Sequence, residues 1–151
     1  MGQDDKPRFF ELSSAEAVEL LRRNHVGRLA FSFHDHVDVE PLSYVYDGEW
    51  LYGRTSQGAK LTTVLHHPWV ALEVDEIEGA YDWRSVVAHG TIYFMEPEGG
   101  DREREAYARG LELLRALDER ILTGADLAPQ RTTLFRVHVD DLVGRGASTQ
   151  E

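Results

Sequence analysis

The stretch GRLAFSFHDHVDVEPLSYVYDGEWLYGRTS, residues 27–56, decides the fold. Apolar side chains alternate with small or polar ones over residues 29–33 and 39–46, and this period of two is typical of β-strands. The polar segment HDHVD separates the two runs. Asp47-Gly48 is a strong hairpin-turn dipeptide, because the central positions of such turns favour positive φ, and an aromatic strand follows it. The stretch therefore predicts three successive antiparallel strands.

Further elements are predicted on both sides of this stretch. Ser13 and Glu16 have capping-box spacing, which predicts a helix over residues 14–24. The other predicted elements are a short helix at 57–67, strands at 69–74 and 86–94 with a polar loop at 75–84, a helix capped by Asp101 that ends near Thr123, and a strand at 132–139. Six mostly antiparallel strands fit a closed barrel better than a parallel sheet, because parallel connections would each need a helix.

Composition narrows the functional classes. The 151 residues include 27 acidic and 16 basic side chains, for a net charge of −11, which argues against nucleic acid as a partner. The chain has no cysteine, which excludes disulfides, thiolate nucleophiles and zinc-cysteine sites. No apolar run approaches the ~20 residues that span a bilayer. We expect a cytoplasmic protein without a membrane partner, with one domain at 12–145, a polar lead-in at 1–11 and a tail at 146–151.

The clearest candidate for a binding site lies where the third strand leads into the short helix. Thr55 and Ser56 precede a glycine, and Lys60 falls in the first turn of the helix. Small hydroxyl residues and a lysine at a helix N-terminus favour an anion, because unpaired N–H groups and the positive dipole end meet there. A second interpretation stays open, in which Thr55 or Ser56 is only an N-cap and Lys60 a solvated surface residue.

Histidine pairs raise the question of a metal site. His34 with His36 falls in a predicted turn, and His66 with His67 falls at a helix C-terminus, where an imidazole faces the helix dipole favourably. Neither pair has a third ligand at metal spacing, so we expect no metal.

An ordered set of segments supports a family resemblance. The segments are HVGRLAF (25–31), PLSYVYDG (41–48), the T-S-x-G-x-K step (55–60), VALEVD (70–75), YDWRSVVAHG (81–90) and FRVHVDDLVGR (135–145). Together they resemble the flavin-binding split-barrel family, in its pyridoxamine 5′-phosphate oxidase-like branch that includes nitroimidazole-resistance-type proteins. The resemblance extends from about residue 12 to residue 145, nearly the whole chain.

This resemblance implies a fold, a cofactor and a partner. The fold is mainly β, a six-stranded antiparallel split β-barrel with three flanking helices. The protein would be a homodimer that binds FMN at the dimer interface. Carried over by position, Arg54, Thr55, Ser56 and Lys60 would hold the phosphate with Leu61 nearby; Leu42, Ser43 and Tyr44 would line the ring and ribityl chain; and Trp83, Arg84, Ser85 and Val86 would approach the flavin across the interface. Glu73 matches a position near the cofactor.

The resemblance also has a departure that bears on the substrate. Arg136 and His138 echo an R-x-H pair of the vitamin B6 oxidases, but the tryptophan and the further arginine of their longer C-terminal segment have no counterpart here. We interpret these two residues as outward-facing strand residues and do not expect oxidation of pyridoxamine phosphate. His89 lies in a strand, where a histidine is usually structural, although a relative of this fold could use it as a haem ligand.

The sequence therefore favours an FMN-dependent oxidoreductase that passes electrons from a reduced donor to a small oxidised acceptor. The alternative is a non-catalytic module of the same fold that binds flavin, deazaflavin or haem as a carrier or sensor.

Overall fold

The computed structural model describes residues 6–33, 35–56 and 68–150, which form seven strands and two helices. In chain order these are β1 (Arg8–Glu11), α1 (Ser14–Arg23), β2 (Val26–Phe33), β3 (His36–Tyr46), β4 (Trp50–Thr55), β5 (Trp69–Gly79), β6 (Asp82–Phe94), α2 (Asp101–Leu117) and β7 (Thr133–Ser148). The predicted helix at 57–67 lies outside the described residues.

The strands close into a ring. Their order in the sheet is β1-β7-β4-β3-β2-β5-β6, and β6 also pairs with β7, so six strands encircle the core while β1 stands outside the ring. Every pairing is antiparallel. The predicted mainly β, antiparallel, barrel-like fold is confirmed. The predicted count of six strands and three helices differs from the seven strands and two helices of the described residues.

β7 is twice as long as predicted. The sequence indicates a strand at 132–139, whereas the structure extends it to Ser148. One edge of β7 pairs with β4 through its first part and with β1 through its last part, and the other edge pairs with β6. Asp140 and Asp141 interrupt the alternation of apolar residues along the strand, so the sequence pattern does not predict the second half of β7. Pairing with neighbouring strands on both edges stabilises this second half. β1 lies within the segment that the sequence marks as a lead-in.

The three strands predicted from residues 27–56 are confirmed. β3 begins at His36, inside the segment that the sequence predicts to be a polar break, and the β3–β4 turn lies at the predicted dipeptide. Gly48 has φ of +105°, the left-handed region in which glycine is favoured. Asp47 does not adopt positive φ; its carboxylate instead accepts the backbone N–H groups of Glu49 and Trp50 at 2.9 and 2.7 Å.

The prediction of a loop at 75–84 is wrong. These residues continue β5 and begin β6, which form a long hairpin with a turn at Ala80 and Tyr81. Acidic side chains have low strand propensity, which explains the sequence interpretation, but here tertiary partners hold them. The Asp82 carboxylate, for example, accepts hydrogen bonds from the backbone and hydroxyl of Thr149 at 2.9 to 3.0 Å.

α1 begins as predicted and packs onto the barrel. The Ser13 hydroxyl accepts the Glu16 N–H at 3.1 Å, and the Glu16 carboxylate accepts the Ser13 N–H at 3.2 Å, which completes the capping box. Ala17, Leu20 and Leu21 are buried against the barrel core. The apolar face of α1 therefore covers one opening of the ring.

α2 is shorter than predicted. Gly100 is the N-cap, so Asp101 is the first helical residue, and the helix ends at Leu117 instead of near Thr123. Asp118 takes an extended conformation, and its carboxylate binds Arg120 locally, which competes with continuation of the helix. A Cβ added to Gly110 would lie 2.9 Å from Met95 Cε, so glycine lets α2 approach the barrel closely. Within the described ranges, no helix is long and apolar enough to cross a membrane.

An ion pair joins the end of α1 to β5. The Arg23 guanidinium donates two hydrogen bonds to Glu76, at 2.8 and 2.6 Å, and the Asn24 amide donates a third at 2.8 Å. The hydrogen bonds from Arg23 are the main reason that the pKa of Glu76 falls to about 2. The charged form of Glu76 is thus stabilised in the folded state.

We expect Glu76→Gln to alter the acid dependence of stability. A lowered folded pKa contributes stability that is complete above the unfolded value, about 4.3, and is lost as the pH falls towards 2. Because the pair is partly exposed, the variant should lose about 0.5–1 kcal/mol at neutral pH. Urea unfolding at several pH values measures it, with the exposed neighbour Glu78→Gln as control. A constant gap between wild type and variant from pH 7 to pH 2 would contradict this assignment.

Candidate functional site

Two of the residues that the resemblance implies for the cofactor line one cavity. Ser43 on β3 and Arg54 on β4 border a cavity of about 370 Å³ between the barrel and the segment that follows α2. Leu114 and Ile121 supply part of an apolar wall, and Arg131 is a further cation at its edge. Ligand sites are typically such concave spaces, mostly apolar with a few convergent polar groups.

The alternation of β3 determines which of its side chains can reach this cavity. Ser43 is exposed, whereas Leu42 and Tyr44 point into the barrel core and are buried. The Tyr44 hydroxyl donates to the Leu21 carbonyl at 2.6 Å, and burial raises its pKa. The side chains of Leu42 and Tyr44 therefore stabilise the fold, and only their backbone could face a ligand.

Arg54 is occupied by a partly buried ion pair for which the sequence gives no signal. Its guanidinium donates to both oxygens of Asp126, at 2.6 and 2.8 Å, and the two side chains are 12% and 2% exposed. It also donates to the carbonyls of Ala128 at 3.4 Å and Arg131 at 3.2 Å. The hydrogen bonds from Arg54 hold the pKa of Asp126 well below its usual range. Arg54 thus carries a charge that Asp126 already neutralises.

The segment from Asp118 to Arg131, which we call the 118–131 loop, is organised around Asp126. Besides Arg54, this carboxylate accepts the N–H groups of Leu122 at 2.8 Å and Ala128 at 3.0 Å. Leu122 adopts φ of +56°, which is uncommon for a leucine and indicates that its surroundings fix it. The Arg115 guanidinium donates to the Ile121 carbonyl at 2.9 Å. The loop is therefore a defined wall of the cavity.

His25 and Arg131 also line the cavity, and sequence reasoning did not single them out. His25 Nδ1 lies 3.2 Å from the Tyr44 carbonyl, a contact that requires the proton on Nδ1. Arg131 NH2 lies 3.5 Å from the Pro41 carbonyl and 3.9 Å from Glu40. His25 lies between α1 and β2, and Arg131 is far from it in sequence. No local sequence motif could therefore have indicated that both residues line one cavity.

The other predicted phosphate contacts are only partly described. Thr55 is the last residue of β4 and Ser56, directly after it, is exposed. Lys60 and Leu61 lie outside the described residues, so the anion site predicted on Lys60 stays a prediction.

The second predicted group lies elsewhere in the same chain. Trp83 and Arg84 line a different cavity of about 430 Å³, together with Phe10 and Glu76. Val86 is buried in the barrel core. In the described part of the chain the two cavities have no lining residue in common. One chain therefore does not bring the two predicted groups to one place.

A polar cluster occupies the outer surface of β2, β5 and β6. Ser85 donates to Glu73 at 2.7 Å, and Arg28 pairs with Glu73 at 3.0 Å and with Asp75 at 3.1 Å. Partial burial raises the pKa of Glu73. Ser85 and Glu73, which the resemblance placed near the cofactor, are thus partners of one another on the barrel exterior.

Arg136 and His138 face outward from β7, as the sequence predicts. The Arg136 guanidinium lies 3.8 Å above the Trp50 ring, and the His138 ring meets the same indole edge-on at 4.9 Å. His138 Nδ1 lies 2.7 Å from Asp140. Neither residue lines the cavity of Ser43 and Arg54.

His89 lies on the outer face of the barrel. Its ring stacks on Trp69 with centroids 6.2 Å apart, and its Nδ1 lies 3.4 Å from an Asp141 oxygen.

Comparison with known proteins identifies the family. The family model described as pyridoxamine 5′-phosphate oxidase matches residues 13–146. The chain belongs to this family. The match confirms the family resemblance read from the sequence, and it covers both the β3–β4 hairpin and the 118–131 loop.

Known proteins and solved structures are similar to this chain. An uncharacterised protein of Rhizobium meliloti is 25% identical over 93% of this chain and 96% of its own length. The crystal structure of a FAD-binding protein from Mesorhizobium loti has a TM-score of 0.74 at 26% identity, covering 95% of this chain and 99% of its own. A 5-nitroimidazole antibiotic resistance protein, so described provisionally, from Bacteroides thetaiotaomicron shares the fold, with a TM-score of 0.67 at 13% identity over 94% and 89% of the two chains.

The structural role of Tyr44 leads to a stability prediction. Tyr44→Phe removes the donor to the Leu21 carbonyl and leaves that buried group unpaired, so we expect the free energy of unfolding to fall by about 1–2 kcal/mol. Chemical denaturation measures the change. Tyr93→Phe makes the same deletion at a half-exposed residue and should alter stability by less than about 0.5 kcal/mol. Equal stability of Tyr44→Phe and wild type would show that the hydroxyl has no structural role.

Proposed function

We propose that the protein binds FMN in the cavity of Ser43 and Arg54 and acts as an oxidoreductase between a reduced donor and a small oxidised acceptor. The observation that carries the proposal is this cavity, where two residues implied by the family resemblance meet an apolar wall. Membership of the pyridoxamine 5′-phosphate oxidase family supports it.

The residues of the cavity suit a planar ring that carries an anionic chain. Leu114, Leu117 and Ile121 offer apolar surface to a ring. Ser43 offers a hydroxyl, and Arg131 offers a cation that polar contacts hold only weakly. Because the whole chain has a net charge of −11, an anionic cofactor needs such a local concentration of positive charge.

A bound flavin would supply the electron-transfer chemistry, and the protein's own residues would bind it, orient it and exclude water. The apolar wall excludes water from one side of the cavity. His25 holds a fixed ring orientation through its bond to the Tyr44 carbonyl, which leaves Nε2 as an acceptor in the neutral form. FMN is the proposed form, and FAD is its main competitor because the Mesorhizobium loti protein is named a FAD-binding protein.

We also propose that the site is shared between two copies of the chain. Ser43 and Trp83 line separate cavities of one chain, so one flavin could contact both groups if a second copy supplied the Trp83 group. The outer face of the barrel supports such a contact, because it exposes apolar side chains on neighbouring strands. These are Val26 on β2, Val37 and Val39 on β3, and Trp69 on β5.

The flavin proposal predicts that the purified protein is yellow and retains one flavin per chain. Denaturation should release a cofactor that chromatographs as FMN. Anaerobic mixing with NADH or NADPH should then bleach the oxidised flavin band, because an open cavity lets the donor approach the ring. If the released cofactor is FAD, a deazaflavin or haem, that molecule replaces FMN as the assigned cofactor.

Two further results would count against the proposal. A colourless protein that stays colourless when FMN or FAD is added would overturn flavin binding. If the protein binds FMN tightly and dithionite reduces the bound flavin, but neither NADH nor NADPH does, the result would favour a non-catalytic carrier or sensor.

The shared site predicts a homodimer of twice the 17.2 kDa chain mass by light scattering. Val39→Arg places a charge on the exposed apolar face and should shift the mass to that of one chain, with a loss of flavin retention. Ala108→Arg introduces the same charge at an exposed residue of α2 that lines neither cavity and should leave the dimer intact. A wild-type monomer with fully bound flavin would refute the shared site.

A further inference from the structure

Two arginines border the cavity, and their surroundings differ. The Arg54 side chain is 12% exposed and engaged by both Asp126 oxygens and by two carbonyls. The Arg131 side chain is 28% exposed, and its nearest partners stand at 3.5 and 3.9 Å, at the outer limit of useful contact. The positive charge of Arg131 is therefore the more available of the two to an incoming anion.

The backbone of Arg131 is nevertheless fixed. Its N–H donates to the Ala128 carbonyl at 3.0 Å, and its own carbonyl accepts from Arg54 at 3.2 Å. Arg54 thus binds three points of the 118–131 loop, namely Asp126, Ala128 and Arg131. A fixed backbone with a weakly held guanidinium lets the side chain exchange its partner without moving the loop.

One carboxylate stands near the Arg131 guanidinium, and another lines the cavity. Glu40 lies 3.9 Å from Arg131 NH2, and Asp118 lines the cavity but is held by Arg120 at 2.8 and 3.2 Å. A phosphate group offers three acceptor oxygens and more negative charge than Glu40, so it competes well for a forked guanidinium. Arg131 would exchange Glu40 for the phosphate when the cofactor enters.

We infer that Arg131 is the residue that binds the phosphate of the cofactor, and that Arg54 is a positioning residue that acts through the 118–131 loop. This inference rests on the proposed flavin function. It replaces the direct phosphate contact that the family resemblance implied for Arg54 and leaves the predicted role of Lys60 unchanged.

The first test compares FMN with riboflavin, which has the same ring system and lacks the phosphate. Arg131→Gln should raise the Kd of FMN about 10- to 100-fold, the effect of losing a charged hydrogen bond, and leave the Kd of riboflavin within about twofold. Arg131→Lys should recover part of the preference for FMN. Arg104→Gln, the same charge change on the surface of α2, should alter neither value.

The second test uses Asp126→Asn, for which the two roles of Arg54 predict opposite signs. If Arg54 contacted the phosphate, removing its counter-charge would tighten FMN binding. If Arg54 positions the loop, loosening its pair should weaken FMN binding and lower Tm by several degrees, because a partly buried ion pair has lost one partner. Fluorescence titration and thermal unfolding of the full chain measure both quantities.

The outcomes separate this inference from the function on which it rests. Equal loss of FMN and riboflavin in Arg131→Gln, an unchanged FMN preference, or tighter FMN binding in Asp126→Asn would overturn the inference while flavin binding stands. A wild-type protein that binds neither flavin would overturn both. A loss confined to FMN in Arg131→Gln, with weaker FMN binding in Asp126→Asn, would support the inference.

Discussion

The pairing of β7 with three other strands is the constraint on which the rest of the structure depends. β6 pairs with one edge of β7 from Phe94 to Trp83, while β4 and β1 share the opposite edge. Without this strand the remaining order would be an open sheet, and the core side chains inside the ring would face water. β7 also begins at the end of the 118–131 loop, so barrel closure and the position of the cavity wall are set together.

Much of the local structure could be predicted from the sequence because it depends on short-range chemistry. The capping box at Ser13 and the turn at Gly48 follow from a few neighbouring residues, and both are confirmed. The extensions of β5, β6 and β7 could not be predicted, since acidic residues such as Glu76 become strand residues only through partners distant in sequence. For the site, the family resemblance implied Ser43 and Arg54, while Asp126 joins Arg54 across 72 residues and leaves no local signal.

The two arginines of the cavity have different functions, although the chain as a whole has an excess of negative charge. Asp126 neutralises the partly buried Arg54, whose charge would otherwise be costly to desolvate, and the pair then serves as a rigid anchor for backbone groups. Arg131 keeps more solvent contact and weaker partners. The Arg54 guanidinium thus stabilises the loop, while the Arg131 guanidinium stays accessible. The two residues are in contact, because Arg54 donates to the Arg131 carbonyl.

The β1–β7 ladder brings the two ends of the described fold together. Arg8 lies opposite Ser148, and paired strand residues of this kind have Cα atoms about 5 Å apart. A few linking residues could therefore connect the ends into a ring, and new ends could be opened at the exposed turn between β6 and α2 without cutting any strand. The order of the strands around the barrel would be preserved, because the ring depends on lateral pairing and not on where the chain starts.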